Sequence, residues 1–90
     1  MSTVSDRRAE RRRTIQGEGI ITVAEPLPLI IRCRLLDTSG HGFRASHDCA
    51  ELLAGSQVQL ESASTGKVTA RVIWTAIMGD HIESGFYILS

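Results

Sequence analysis

Residues Ser56–Ile77 read SQVQLESASTGKVTARVIWTAI, two runs in which apolar and polar side chains alternate, joined by a small polar segment that ends in Gly66. Alternation with a period of two is the pattern of a strand with one buried face, and a short polar link closed by glycine suits a tight turn. Ser56–Glu61 and Lys67–Ile77 are therefore expected to form a hairpin across residues 62–66. In its second arm Val68, Ala70, Val72 and Trp74 alternate with Lys67, Thr69, Arg71 and Ile73, so the first set, Trp74 included, is expected to face a core.

The same rhythm extends in both directions. Ile20–Ala24 and Leu29–Asp37 read as strands joined at Glu25-Pro26-Leu27-Pro28, where prolines that cannot donate ladder hydrogen bonds fit a connection. Gly42–Ala45 reads as a short third strand. Ser46–Gly55 reads as an irregular connection, or as one helical turn over Ala50–Leu53 stopped by Gly55. After a turn at Gly79-Asp80, His81–Leu89 supplies the last strand, in which Gly85 suits a bulge or tight bend. A six-stranded meander of this length can satisfy its edges by curling into a barrel, so the expected fold is all-β, an antiparallel barrel over residues 17–90.

Length and composition agree with one such unit. Ninety residues hold a single core, and a chain this short buries only about 60 to 65% of the surface its unfolded form exposes. Cys33 and Cys49 lie outside any CxxC or Cys/His ligand spacing, and no apolar leader opens the sequence, so a reduced, cytoplasmic setting is expected. The longest apolar stretch, around Leu29–Ile31, is far short of the roughly 20 residues that span a bilayer, and no membrane insertion is expected.

The zero net charge hides an asymmetry. Arg7, Arg8, Arg11, Arg12 and Arg13 stand against only Asp6 and Glu10 in the first thirteen residues, while residues 14–90 carry five cations and eight acids. Residues 1–16 lack the apolar side chains of a strand with a buried face and are read as a flexible basic arm, with a short helix over Asp6–Arg13 as an option. Guanidinium groups pair bidentately with phosphate, so an anionic ligand is the natural partner of such an arm.

Two motifs frame the first strands of the chain. The arm reads Arg7-Arg8-Ala9-Glu10-Arg11-Arg12-Arg13, and the end of the second strand reads Asp37-Thr38-Ser39-Gly40-His41-Gly42. Together, with the strand rhythm between them, the VIW strand and the closing GFYI strand, they resemble the PilZ domain family over roughly residues 7–89. The resemblance implies a six-stranded PilZ-like (split) β-barrel that binds cyclic di-GMP through an RxxxR arm and a [D/N]xSxxG strand end. Asp37, Ser39 and Gly42 meet the second motif residue for residue. Both Arg7 with Arg11 and Arg8 with Arg12 satisfy the first; a third alignment takes Arg12 as the first arginine and leaves Gln16 in the second position. Glutamine lacks the charge and the fork of a guanidinium, so that register implies weakened or lost binding.

The ligand residues implied are thus Arg7, Arg8, Arg11, Arg12, Asp37, Ser39 and Gly42. A carboxylate can accept from the N1 and N2 donors of a guanine edge, a serine hydroxyl can donate or accept, and a glycine lets backbone and ligand approach. The function implied is a stand-alone receptor that signals through a protein partner. The alternative is a degenerate domain that binds no nucleotide and acts as a protein interaction module.

Plainer readings compete at each position. The arginine cluster alone is a solvated basic tail, and Asp37-Thr38-Ser39 alone is an Asx or Ser turn. His41 stands beside Asp37 and Ser39 without a nucleophile elbow or an oxyanion hole, so no enzyme is expected. His47 and Cys49 lack a second ligand pair, so neither metal nor cofactor is expected. A nucleic-acid-binding barrel would need exposed aromatic side chains for base stacking, and Phe43, Trp74 and Phe86 are all assigned to strands.

Overall fold

Apolar residues two apart on successive strands converge on one interior. Ile21 and Val23, then Ile31, Cys33 and Leu35, then Val58 and Leu60, then Ala70 and Val72 are all buried, joined by Phe43, Ala45, Leu52 and Phe86. The computed structural model describes residues 13–14, 17–25 and 28–90. Its strands are β1 (Arg13–Thr14), β2 (Glu18–Val23), β3 (Leu29–Thr38), β4 (Gly42–His47), β5 (Gln57–Ser62), β6 (Gly66–Ile77) and β7 (Ile82–Ile88). Phe43 and Phe86 stack face to face inside the core, with ring centroids 4.6 Å apart.

The sheet runs β3-β2-β5-β6-β7-β4, and β4 pairs back onto β3, so six antiparallel strands close into the expected barrel. Closure leaves no long free edge, which is how a small β domain satisfies its backbone donors and acceptors. The two-residue β1 falls within the segment read as the arm and extends the β2 side of β3, with Arg13 opposite Thr38 and Thr14 opposite Asp37. Arg13 and Thr14 therefore lie beside the strand end that carries Asp37.

The barrel is not the simple meander suggested by the sequence. β4 lies between β3 and β7, whereas β5 lies between β2 and β6, so residues 48–56 must cross to the other side of the barrel. That segment is a series of turns, not a helical turn over Ala50–Leu53. It is anchored by Leu52, whose side chain is 1% exposed.

A hydrogen-bond chain secures the crossing. The Cys49 N–H donates to His47 Nδ1 (3.1 Å), His47 Nε2 meets Ser84 Oγ (2.8 Å), Ser84 Oγ meets Thr75 Oγ1 (2.8 Å), and Thr75 Oγ1 donates to the Leu52 carbonyl (2.9 Å). Its direction is fixed from both ends. A backbone donor requires an unprotonated Nδ1, and a carbonyl acceptor requires Thr75 to donate outward, so Nε2–H donates to Ser84 and Ser84 donates to Thr75. The ring is thus held neutral. Burial lowers the His47 pKa, with Asp48 opposing it.

Strict alternation fails twice, each time at a one-residue bulge. On β3 the pairing with β4 shifts between Leu35 and Asp37, and on β6 the pairing with β7 shifts between Val72 and Trp74. A bulge sends the residues beyond it to the opposite face. Trp74 consequently leaves the inward row expected for it and lies 38% exposed on the outer surface.

A stability prediction follows from the neutral His47. The unfolded chain takes up a proton near pH 6.5 and the folded chain resists it, so stability falls as pH drops below about 6.5 toward the lowered folded value. His81, whose pKa is raised by Asp80 and Glu83, works in the opposite sense. In a His81→Asn background, urea midpoints should therefore decrease steadily from pH 7 to pH 5, and the His47 ring should titrate below 6.5 by NMR. A flat stability profile, or a normal His47 midpoint, would contradict the chain as drawn.

Candidate functional site

Asp37 has the same sequence parity as the buried residues Ile31, Cys33 and Leu35, and without a bulge it would enter the core. The extra residue at Leu36 instead pairs Asp37 with Arg44 of β4. Arg44 donates to Asp37 Oδ2 through both Nε (3.0 Å) and Nη2 (2.7 Å), and its Nη1 reaches Glu83 Oε1 of β7 (3.3 Å). The two carboxylate side chains are only 11% and 12% exposed, whereas that of Arg44 is 39% exposed. One guanidinium thus serves two largely covered acids. The Asp37 hydrogen bond is the main cause of a raised Arg44 pKa, with partial burial opposing it and the charges of Asp37 and Glu83 adding to it.

The charged row continues across β7. Glu83 Oε2 accepts from His81 Nε2 (3.0 Å), and His81 Nδ1 faces Asp80 Oδ1 (2.8 Å). The Asp80 hydrogen bond, then that of Glu83, raises the His81 pKa, and the same contact lowers that of Asp80. Doubly hydrogen-bonded imidazole with acids on both sides is stabilised in its charged form.

Beyond Asp37 the chain turns back into β4. The Thr38 hydroxyl (3.0 Å) and the Ser39 N–H (2.8 Å) both donate to the Gly42 carbonyl, and the His41 carbonyl accepts from the Ile88 N–H (2.8 Å). This fixes Ser39 at the rim, where it lines an open cleft of about 190 Å³ together with His41, Arg44, Trp74, Gly85 and Tyr87. The His41 and Tyr87 rings lie parallel, 6.1 Å apart, along the same surface. Two glycines make the cleft possible. A Cβ on Gly42 would strike the Phe86 carbonyl oxygen, and one on Gly85 would strike the Trp74 indole, which lies over it.

Of the residues implied by the sequence, Asp37, Ser39 and Gly42 therefore gather at one barrel rim. Arg7, Arg8, Arg11 and Arg12 lie outside the described residues, as does Gln16. Gly42 has a packing role in addition to any contact with a ligand, since it admits the β7 backbone. Sequence reasoning did not single out Glu83, His81 or Tyr87, nor did it bring Trp74 to the surface. Arg44 is one of four arginines on the strands, with Arg32, Arg34 and Arg71, and nothing in a linear pattern announces which of them meets Asp37.

Other chemistry is poorly served at these positions. Both ring nitrogens of His47 are occupied within the barrel, so the ring can bind a metal with Cys49 only by breaking the chain that holds the crossing. Burial pushes the Cys33 thiol up to about 11, which leaves it protonated and unreactive. Among the described residues no group of three or more His, Cys, Asp or Glu could hold a metal ion, and no helix is long and apolar enough to cross a membrane.

No family model matches the sequence, and no curated protein does. Among solved structures the chain is similar to the PilZ domain of YcgR from Escherichia coli, with c-di-GMP, at 22% identity and a TM-score of 0.65, over 93% of this chain and 79% of that one. The fold of this chain is PilZ-like.

The two glycines give a direct test of the rim. Gly42→Ala forces the β4–β7 backbones apart and should cost about 1–3 kcal/mol or more, seen as a lower urea midpoint. Gly85→Ala meets a movable side chain, so it should cost less while shifting Trp74 emission toward that of a more exposed indole. Equal stability of Gly42→Ala and the parent would refute the packing described.

Proposed function

We propose that this chain is a receptor for cyclic di-GMP that carries no catalytic activity and signals in the cytoplasm through a protein partner. The observation that carries the reading is a juxtaposition. β1 pairs Arg13 and Thr14 with Thr38 and Asp37, so the residue that ends the arginine-rich run, Arg13, lies at the rim that bears Asp37, Ser39 and Gly42. The likeness to a PilZ domain with c-di-GMP supports the same ligand class.

In this reading, arginines from Arg7, Arg8, Arg11 and Arg12 clamp the phosphates and stack on guanine faces. Asp37 accepts from a guanine edge, and Ser39, whose hydroxyl has no hydrogen-bond partner among the described residues, contributes a further polar contact. Small-molecule sites usually enclose about 300–1,000 Å³. The rim cleft of about 190 Å³ is smaller, and in this reading the arginines of the arm supply its second wall. The surface that arm and ligand form together is what a partner reads.

A second reading, a domain that has lost nucleotide binding and serves only as an interaction module, is favoured by Gln16 if Arg12 is the first arginine of the motif. Calorimetric titration separates the two. Cyclic di-GMP should bind saturably while GTP does not, and Arg8→Ala/Arg12→Ala/Asp37→Ala should lose the binding. Each charge-assisted contact removed should weaken affinity by roughly 10- to 100-fold. Trp74 is the sole tryptophan and lines the cleft, so its emission should follow the same isotherm. Absence of heat and of an emission change at high concentration would favour the interaction module.

A further inference from the structure

β3 is ten residues long and β4 only six, and the difference leaves part of β3 without a neighbour. β4 pairs with β3 from Arg34 to Thr38, whereas β2 covers the other side of β3 from Leu29 to Arg34. Continuation of the β4 register would set Asp48 opposite Arg32 and Ala50 opposite Ile30. The chain turns away instead: the Cys49 N–H folds back onto His47 Nδ1, and the Leu52 N–H donates to the Cys49 carbonyl (3.3 Å). A groove of about 600 Å³ opens where β4 would have continued, with residues 29–32 on one side and residues 48–51 on the other.

The backbone on the β3 side is aimed into this groove. Hydrogen-bonded and non-bonded pairs alternate along an antiparallel ladder. The Leu35 N–H donates to the Gly17 carbonyl (2.9 Å), so in the same register Cys33, Ile31 and Leu29 exchange bonds with β2. Ile30 and Arg32 therefore direct their N–H and C=O groups to the other side, where no backbone hydrogen bond meets them among the described residues. An edge of this kind is a template for another strand, and Ile30 on it is 78% exposed, more than any other large apolar side chain among the described residues.

We propose that this groove is a docking site for an extended, basic segment of a partner protein, which adds to the free edge of β3 as a further strand. The inference rests on the protein partner that both readings above require, and not on nucleotide binding. Main-chain hydrogen bonds hold any extended segment at such an edge, so the walls decide its chemistry. Asp48 and Glu51 are exposed on the crossing segment, and neither forms an ion pair among the described residues. A lysine or arginine opposite Ile30 lays its stem over that side chain and carries its charge to this acidic wall. Positions turned inward meet Ile31, which is buried, and Cys49, which is partly so, and they favour β-branched apolar residues. Arg32, the one cation lining the groove, disfavours a base directly opposite it and so sets the register.

The test is amide hydrogen exchange by NMR on the full chain at pH 7 without nucleotide, which keeps its outcome separate from that of the cyclic di-GMP titration. In the parent alone the amides of Ile30 and Arg32 should exchange freely, while those of Ile31 and Cys33 are protected. The blocked peptide Val-Lys-Val-Thr-Val-Lys-Val, which reads the same in either direction, should bind saturably and slow exchange at Ile30 and Arg32 about tenfold at about ten times its dissociation constant. A fully N-methylated form cannot complete the ladder and should not bind. Glutamate in place of both lysines, or Asp48→Asn with Glu51→Gln in the protein, should weaken binding about three- to tenfold. Ile30→Pro removes a donor that β2 does not use, so it should fold and lose the peptide. Protection of Ile30 and Arg32 without peptide overturns the proposal: at every concentration it means that the chain covers its own edge, and rising with concentration it means that a second copy does. The proposal also fails if the peptide does not bind, binds without slowing these two amides, binds equally when N-methylated, or binds better with glutamate than with lysine.

Discussion

A β-strand turns successive side chains to opposite faces, and inside a closed barrel that rule leaves each residue only two destinations, the core or the outer surface. The site described above exists because the rule is interrupted at Leu36 on β3 and at Ile73 on β6. Both bulged strands flank the β4–β7 pair, one on either side. The first bulge brings Asp37 out to Arg44, and the second brings Trp74 out over Gly85. Without them an acid and an indole would compete for space with Phe43 and Phe86 in a core that a chain of this size cannot enlarge.

The surface so formed is held by charge rather than by apolar packing. Arg44 compensates two acids that are mostly withdrawn from water, and Glu83 passes the row on to His81 and Asp80. Ion pairs at a fully exposed surface contribute little, but removing one partner of a covered pair leaves a charge that must be neutralised or hydrated. The orientation of Asp37 is therefore tied to β3, β4 and β7 together. The opposite arrangement holds at the β4–β5 crossing, where the neutral His47 and two hydroxyls satisfy one another within the barrel and Leu52 fills the space behind them.

These two polar systems approach each other on β7. Ser84 belongs to the interior chain, and its neighbour Glu83 belongs to the outer row, as alternation along a single strand requires. β7 thereby connects the rim that bears the candidate ligand residues to the segment that crosses the barrel, through backbone pairing with β4 along Gly42–His47. Gly85 and Gly42 keep this contact close, the first beneath the indole and the second beneath the Phe86 carbonyl.

The sequence by itself determined the all-β class, the hairpin over Ser56–Ile77 with its inward row of Val68, Ala70 and Val72, most of the strand limits, and the Asp37-Ser39-Gly42 motif at a strand end. All of these are local patterns, legible because strand periodicity and turn chemistry act between residues close in the chain. Only the tertiary structure decided the strand order, with β4 between β3 and β7, because pairing between distant segments leaves no mark on local alternation. It also decided the exposure of Trp74 and the pairing of Asp37 with Arg44. A one-residue bulge is invisible in a run such as Leu29–Thr38 until a second strand imposes its register, and that register is what separates an acid turned into the core from one turned to Arg44.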